Sequence, residues 1–391
     1  MTERIYLDWN ATAPLRPEAR AAMIAALDQV GNPSSVHHEG RDARRRIEQA
    51  REQVAALVGA EPRNVVFTSG GTEANMMALS PALETPDNKV GFDRLMISAV
   101  EHASVRACGG FPRHQVEEIP VTSDGVVDIG ALDRRLGELQ GQSVRAPLVS
   151  IMAANNETGV IQPVEAAAAL VHAAGGLLHV DAVQVAGRIP FDIGRSGADL
   201  VTVSAHKLGG PHGVGALIKR SASLHFAEPL LRGGGQERGA RAGTENVAGI
   251  AGFGAAAACA MASMRTEGER TRALRDRLEA ALDAGPTVIF GRNAHRLPNT
   301  SLFATPGLRA DTALINLDLA GFAVSSGSAC SSGKVATSHV LAAMGVPDRL
   351  RVGAIRLSIG PSTAEKEIDL FLKAWIKLVA GLSKGKGGLA A

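Results

Sequence analysis

Aromatic residues are scarce in this chain: 10 Phe, 2 Trp and 1 Tyr make only 3% of 391 residues, so a large core must rest on Ala, Val, Leu and Ile. Charge of one sign is also missing. Lys and Arg number 41 against 39 Asp and Glu, a formal charge of +2, which argues against a dedicated nucleic-acid binder with a basic surplus on one face. The three cysteines, Cys108, Cys259 and Cys330, cannot all pair and show no C-x-x-C spacing, so a disulfide framework or a thiolate zinc site is not expected. A reducing, cytoplasmic location is therefore expected. The opening "MTERIYLDWN" carries charge at once and has no apolar h-region, so no signal peptide is expected. Internal repeats, the G-x-x-x-x-G-K-[ST] of a P-loop and the G-x-G-x-x-G of a dinucleotide fold are absent. One uncharged run, "NVAGIAGFGAAAACAMASM" (246–264), is long enough to span a bilayer, but Ala and Gly dominate it and a buried helix is the better reading. No membrane contact is expected.

What is present alternates. Apolar strand-like runs lie at 64–68, 94–98, 116–120, 147–152, 177–181, 199–204 and 214–219, with helical patterns such as "TEANMMALSPAL" (72–83) and "VEAAAALVHAAGG" (164–176) between them. That alternation predicts an α/β fold with a mostly parallel seven-stranded sheet flanked by helices, whose ligands sit at the carboxyl ends of the strands. Beyond about Gly243 a long helical stretch runs to about Ala284. Shorter strands come next at 287–290, 299–305, 322–328 and 354–360, then a closing helix with Ser362 as N-cap and Glu365 completing a capping box. The expected division is a large α/β domain over 15–255 and a smaller α+β domain over 1–14 and 256–391. The hinge is expected near 255–265, and the tail 383–391 is expected to be disordered.

Five of the seven strand ends carry polar chemistry. Asp181 follows "LLHV", and Ser204, His206 and Lys207 follow "LVTV". A carboxylate and a lysine at the ends of interior strands are costly unless they are paired or covalently committed. They form either a salt bridge or a pyridoxal phosphate site, in which the lysine makes a Schiff base and the aspartate pairs with the ring nitrogen. "FTSGGTEANMMAL" (67–79) reads as a strand, a Gly-rich turn and a helix capped by Thr72, a phosphate cradle at a helix N-terminus. "SAVEHASV" (98–105) sets His102 after another strand, where its ring could stack on a planar cofactor. "MAANNETG" (152–159) adds amide groups after a fifth. Coincidence across five strand ends is a poor explanation.

With "YLDWNATAP" (6–14), "GNPSSVHHEG" (31–40), "SAHKLGGPHGVGAL" (204–217), "GGGQERGARAGTENV" (233–247), "SSGSACSSG" (325–333) and "IRLSIG" (355–360) added, the chain resembles the cysteine desulfurases. These are pyridoxal 5'-phosphate enzymes of the class V aminotransferase fold (fold type I), and the likeness is to the NifS/IscS-type branch. It covers nearly the whole chain, and it implies roles residue by residue. Lys207 holds the cofactor, Asp181 pairs with the pyridinium, and Gln184 bonds the ring's phenolic oxygen. His102 stacks on the ring and shuttles protons. Gly71, Thr72, Ser204 and His206 hold the phosphate. Thr244 reaches the phosphate of the other subunit, which implies a homodimer with shared sites. Asn156 also lies at the cofactor and, with Arg356, holds the substrate carboxylate. Cys330 is the nucleophile that takes sulfur from L-cysteine as a persulfide, leaving alanine. It then passes the sulfur to a protein acceptor such as an iron–sulfur scaffold, with Gly327 and Gly333 as hinges of a mobile arm. No metal is implied. The chain departs from the family texture at Trp9–Asn10, at Ala205 and at His212, none of which removes an assigned group.

Other reactions on this fold remain as alternatives, among them selenocysteine lysis and transamination, and a transaminase needs no thiol at position 330. A non-catalytic sulfur relay would leave Lys207 and Asp181 as idle buried charges. His37 and His38 face different ways on a helix, and His37 reads as structural rather than metal-binding. "GRDARRRIEQAREQ" (40–53) reads as a solvated amphipathic helix, with a patch for an acidic partner as the other reading. Cys108 and Cys259 read as inert.

Overall fold

The computed structural model describes residues 4–86, 88–89, 91–141, 147–327 and 337–387. All seven expected runs become strands of one sheet: β1 (Val65–Thr68), β2 (Leu95–Ser98), β3 (Val116–Ile119), β4 (Leu148–Ser150), β5 (Leu177–Asp181), β6 (Leu200–Ser204) and β7 (Gly215–Lys219). Their order is β1-β7-β6-β5-β4-β2-β3, and only β7 runs antiparallel to its neighbours. Of the interior strands, β2, β4 and β6 are buried throughout and β5 and β7 at all but one end residue, because one apolar cluster covers each face of the sheet. A sheet covered on both sides needs continuous apolar runs rather than alternation, and that is what made these strands legible.

A second sheet is antiparallel, in the order Val288–Ile289, Thr300–Ala304, Ile355–Ser358, Ser325–Ser326. The expected run at 322–328 is split at Val324. Its first half, Phe322–Ala323, pairs with the N-terminal strand Ile5–Tyr6 instead. Ile5 and Leu7 thereby join the core beneath the second sheet, where Phe303, Phe322, Phe371 and Trp375 cluster. The Phe303 and Trp375 rings meet edge to face, 5.0 Å between centroids and 86° between planes.

The 37-residue helix Val247–Asp283 runs through 255–265 without a break. Ile250, Phe253, Ala256, Ala257 and Ala260 pack into the large-sheet core, and Leu274, Leu278 and Leu282 into the aromatic one. Its apolar half is long enough to cross a membrane by composition, but it packs here against helices Pro17–Leu27 and His38–Leu57. Small residues make this contact possible: a Cβ on Gly254 would lie 2.6 Å from Ala50.

Several local expectations change. The helix after β1 is Gly71–Ala78, with Gly70 rather than Thr72 at the N-cap and no side-chain cap. It ends before the expected 83 because Pro81 cannot continue it. The closing helix spans Glu365–Gly387, into the tail expected to be disordered. Ser362 and Glu365 do not form its capping box; Glu367 reaches back to the Ala364 N–H at 2.6 Å. His37 caps helix His38–Leu57, its Nδ1 accepting from the Gly40 N–H. That helix is not simply solvated, because Arg51 is 1% exposed. The Arg51 guanidinium donates to both Glu237 oxygens at 2.7 and 2.9 Å and lies 4.8 Å from the Phe67 ring centre. Glu237 also accepts the Phe67 N–H, so one buried carboxylate ties helix His38–Leu57 and β1 to the 233–246 loop. Glu237 and Arg238 take the left-handed backbone, a conformation rare for side-chain-bearing residues, which this buried ion pair offsets.

Candidate active site

The carboxyl ends of β1, β2, β4, β5 and β6 surround a cavity of about 330 Å³. Ten predicted residues line it: Gly71, Thr72, His102, Asn156, Asp181, Gln184, Ser204, His206, Lys207 and Arg356. Two others do not. Thr244 is exposed on the 233–246 loop and lies outside this chain's cavity. Cys330 lies outside the described residues, as does Gly333.

Asp181 ends β5, and its geometry answers the salt-bridge alternative. Oδ1 accepts from the Val183 N–H at 3.0 Å and Oδ2 from Asn75 Nδ2 at 2.9 Å; Asp181 makes no ion pair among the described residues. Lys207 Nζ instead donates to the Asn10 and Ala11 carbonyls, at 2.6 and 2.8 Å. The second hydrogen of Asn75 Nδ2 goes to Ser104 Oγ at 2.9 Å, and Ser104 Oγ lies 2.7 Å from His102 Nδ1. That ring nitrogen also accepts the Ser104 N–H at 3.2 Å, so the proton of neutral His102 sits on Nε2. Asn75 and Ser104 therefore link the carboxylate to the imidazole. Sequence reading missed both as site residues, although both lie inside quoted motifs.

The phosphate-type end is built from close packing. A Cβ on Gly215, the first residue of β7, would sit 2.5 Å from the Gly70 carbonyl carbon, so glycine there lets the turn close onto the sheet. Burial of Glu73 opposes its charge, but the Arg241 guanidinium and Ser69 hold its carboxyl below the usual range; this also ties the turn to the 233–246 loop. Burial, followed by the neighbouring Lys207, His212 and Arg188 side chains, pushes His206 down to about 4. His206 stacks on His212, and both rings reach Thr12 Oγ1, so the departure at His212 supplies a stacking partner.

On the opposite wall, Arg356 reaches in from the second sheet. Nη2 pairs with Asp8 at 2.7 Å, Nη1 donates to the Asn156 carbonyl at 3.0 Å, and Nε is buried without a partner among the described residues. Asn10, flagged in the sequence only as a departure, is the hub between the walls. Its carbonyl accepts from Lys207 and Gln184, and its amide group bonds Asn156, Thr300, Asn299 and Arg188. Glu157 serves the segment on either side of the undescribed 328–336. Ser338 Oγ donates to its Oε2 at 2.5 Å, and a Cβ on Gly327 would stand 2.6 Å from the same oxygen. Gly327 is thus a close-approach glycine. Glu101 is wholly buried; burial first and the Asp181 charge second push its carboxyl well above the usual range. Cys108 is buried, its Sγ donating to the Arg106 carbonyl, and burial raises the Cys259 thiol.

The donor set fits pyridoxal 5'-phosphate. Among the described residues, a buried carboxylate without a paired cation, a lysine, a histidine with a defined tautomer, an uncapped helix N-terminus and an Arg with an unspent N–H share one cavity. An open α/β sheet with such strand ends defines a class of pyridoxal-phosphate enzymes. Within that class the chain belongs to the class V aminotransferase family, whose model, "Aminotransferase class-V", matches residues 5–371. It is 45% identical over 379 residues to a cysteine desulfurase of Cereibacter sphaeroides, covering 95% of this chain and 94% of that one. To the cysteine desulfurase IscS of Dictyoglomus turgidum it is 39% identical, covering 98% and 96%. The structure of a NifS-like protein from Rickettsia africae superposes with a TM-score of 0.86 at 34% identity, covering 97% of this chain and all of that one.

Proposed function

We propose that this protein converts L-cysteine to L-alanine, with pyridoxal 5'-phosphate as cofactor and Cys330 as the first sulfur acceptor. The observation that supports it most is the meeting of Asp181, Lys207, His102 and Arg356 around one cavity, in a chain whose relatives are cysteine desulfurases. When bound, the cofactor supplies an aldehyde that captures an amine and a cationic ring that draws electrons from the substrate's α-carbon. Lys207 Nζ carries the cofactor and, once released, takes and returns the proton at that carbon. Asp181 keeps a proton on the ring nitrogen. His102 would stack on the ring, carrying its proton on Nε2. Gly71, Thr72, Ser204 and His206 hold the phosphate, while Arg356 and Asn156 hold the substrate carboxylate. The Cys330 thiolate attacks the substrate sulfur; the carbon–sulfur bond breaks as the sulfur–sulfur bond forms, and the electron pair stays on the three-carbon fragment, which is protonated to alanine. No outside oxidant is needed.

The same reading includes a homodimer in which Thr244 of one copy completes the phosphate site of the other, consistent with its exposure outside its own cavity. It also includes a cytoplasmic location, a protein sulfur acceptor such as an iron–sulfur scaffold, and the domain division 15–255 against 1–14 with 256–391. The test is chemical. Loaded protein should release alanine from cysteine without forming keto acid. Cys330→Ala should keep its colour and its oligomeric state yet release no alanine, and full activity of that variant would sink the nucleophile assignment.

A further inference from the structure

Arg188 lies four residues beyond Gln184 and does not line the cavity. Its Nη1 donates to Asn10 Oδ1 at 2.9 Å, to the Gln184 carbonyl at 3.4 Å and to Gln184 Oε1 in a short contact. Its Nη2 donates to the Trp9 and Lys207 carbonyls at 3.2 and 3.3 Å. All these acceptors are neutral, and among the described residues Arg188 has no carboxylate at ion-pair distance. A guanidinium only donates, so each amide atom facing it must be an oxygen. That removes the usual ambiguity of an amide's orientation. Gln184 therefore turns Nε2 away from Arg188. One Nε2 hydrogen goes to the Asn10 carbonyl at 3.2 Å, and the second is left for the cavity that Gln184 lines.

We propose that Arg188 is a positioning residue of the cofactor site: by holding Gln184 Oε1 and Asn10 Oδ1 it locks the Gln184 amide with its donor end toward the cavity. The proposal rests on the pyridoxal-phosphate reading above. A donor at that place favours the deprotonated ring oxygen; a reversed amide would set oxygen against oxygen. The consequence is a visible chromophore that changes protonation at a lower pH than it would without the lock. Nothing in the sequence separates Arg188 from an ordinary surface arginine, because its partners come from residues 9–10, 184 and 207.

The experiment is a pH titration of visible absorbance in the cofactor-loaded protein, with the melting of each apo form followed in parallel. Arg188→Met should raise the midpoint by about one pH unit, a tenfold change in the proton equilibrium. Gln184→Ala should raise it similarly, and the double variant should move no further, because both act through one amide. An unmoved midpoint in Arg188→Met overturns the proposal, and so do fully additive shifts, which would mean that Arg188 acts by charge alone. Should Arg188→Met not fold, Arg188→Lys keeps the charge but offers one nitrogen where the fork offers two. Its expected midpoint lies between those of the wild type and Gln184→Ala, and a wild-type midpoint overturns the proposal. A wild-type protein that gains no visible absorbance with pyridoxal 5'-phosphate overturns instead the reading on which the proposal stands.

Discussion

The large-sheet core and the core beneath the second sheet are packed by different means. Beneath the second sheet, Phe303, Phe322, Phe371 and Trp375 interlock as rings; the buried aromatics of the main large-sheet cluster among the described residues are Phe67 and Phe253, set mostly among Ala, Val, Ile and Leu. Small aliphatic side chains let strands and helices approach closely, which sets several strand ends around one cavity. Rings instead hold together a sheet of short strands and the N-terminal strand beside it. Arg356, which reaches from the second region into the cavity, joins these two designs. The comparison teaches that polar chemistry is concentrated at the ends of the aliphatic sheet, while the aromatic core chiefly supports the wall opposite.

The strongest way to sharpen that contrast is Lys207→Ala. Alanine formation should fall by about 10⁴-fold, the upper end for losing a general base. The melting midpoint of the apo protein should stay within the small change typical of a surface substitution. A large loss of stability would mean that the lysine is structural and would break the division between chemistry and packing.

Phe303→Ala tests the other side. Phe303 is fully buried and touches two other rings, so its removal should cost about 3–5 kcal/mol in denaturant unfolding. A cost below about 1 kcal/mol, the range of well-tolerated core swaps, would show that the aromatic core is loosely packed.

Polar groups inside the large sheet should carry a pH signature. His179 lies between Ser150 and Thr202 on adjacent strands, and burial pushes it from 6.5 down to about 4, with Asp181 opposing. Between those values the unfolded chain binds the proton and the folded chain does not. The contribution to stability is therefore fully present above pH 6.5 and is lost as pH falls toward 4, about 3 kcal/mol in all. Replacing His179 with Gln should flatten that part of the stability curve, and an unchanged slope would remove His179 as its source. The smallest effect is expected from Ile250→Val in the aliphatic core, about 0.5–1.5 kcal/mol. A much larger cost would mean that this core is as tightly keyed as the aromatic one.

The seven strands were legible because burial on both faces forces continuous apolar runs, and the strand-end residues were legible because charge after such a run is conspicuous. Asn75, Ser104 and Asn10 were less so, since a buried amide or hydroxyl leaves no pattern in composition or period. Thr72 was misread as a cap: the turn offers two glycines before it, and Gly70 takes that place. Arg51 was misread as solvated because its partner, Glu237, lies 186 positions away.

Taken by itself, the sequence determined the α/β layering, the order of strands along the chain and the set of strand-end groups, because each depends on local apolar runs and on the polar residues directly after them. Only the tertiary structure decided that Asp181 bonds Asn75 rather than Lys207, that His102 carries its proton on Nε2, and that Asn10 and Arg188 organise the cavity. Those outcomes depend on hydrogen bonds between residues up to 290 positions apart, whose directions are set by how the two cores meet and not by any local spacing.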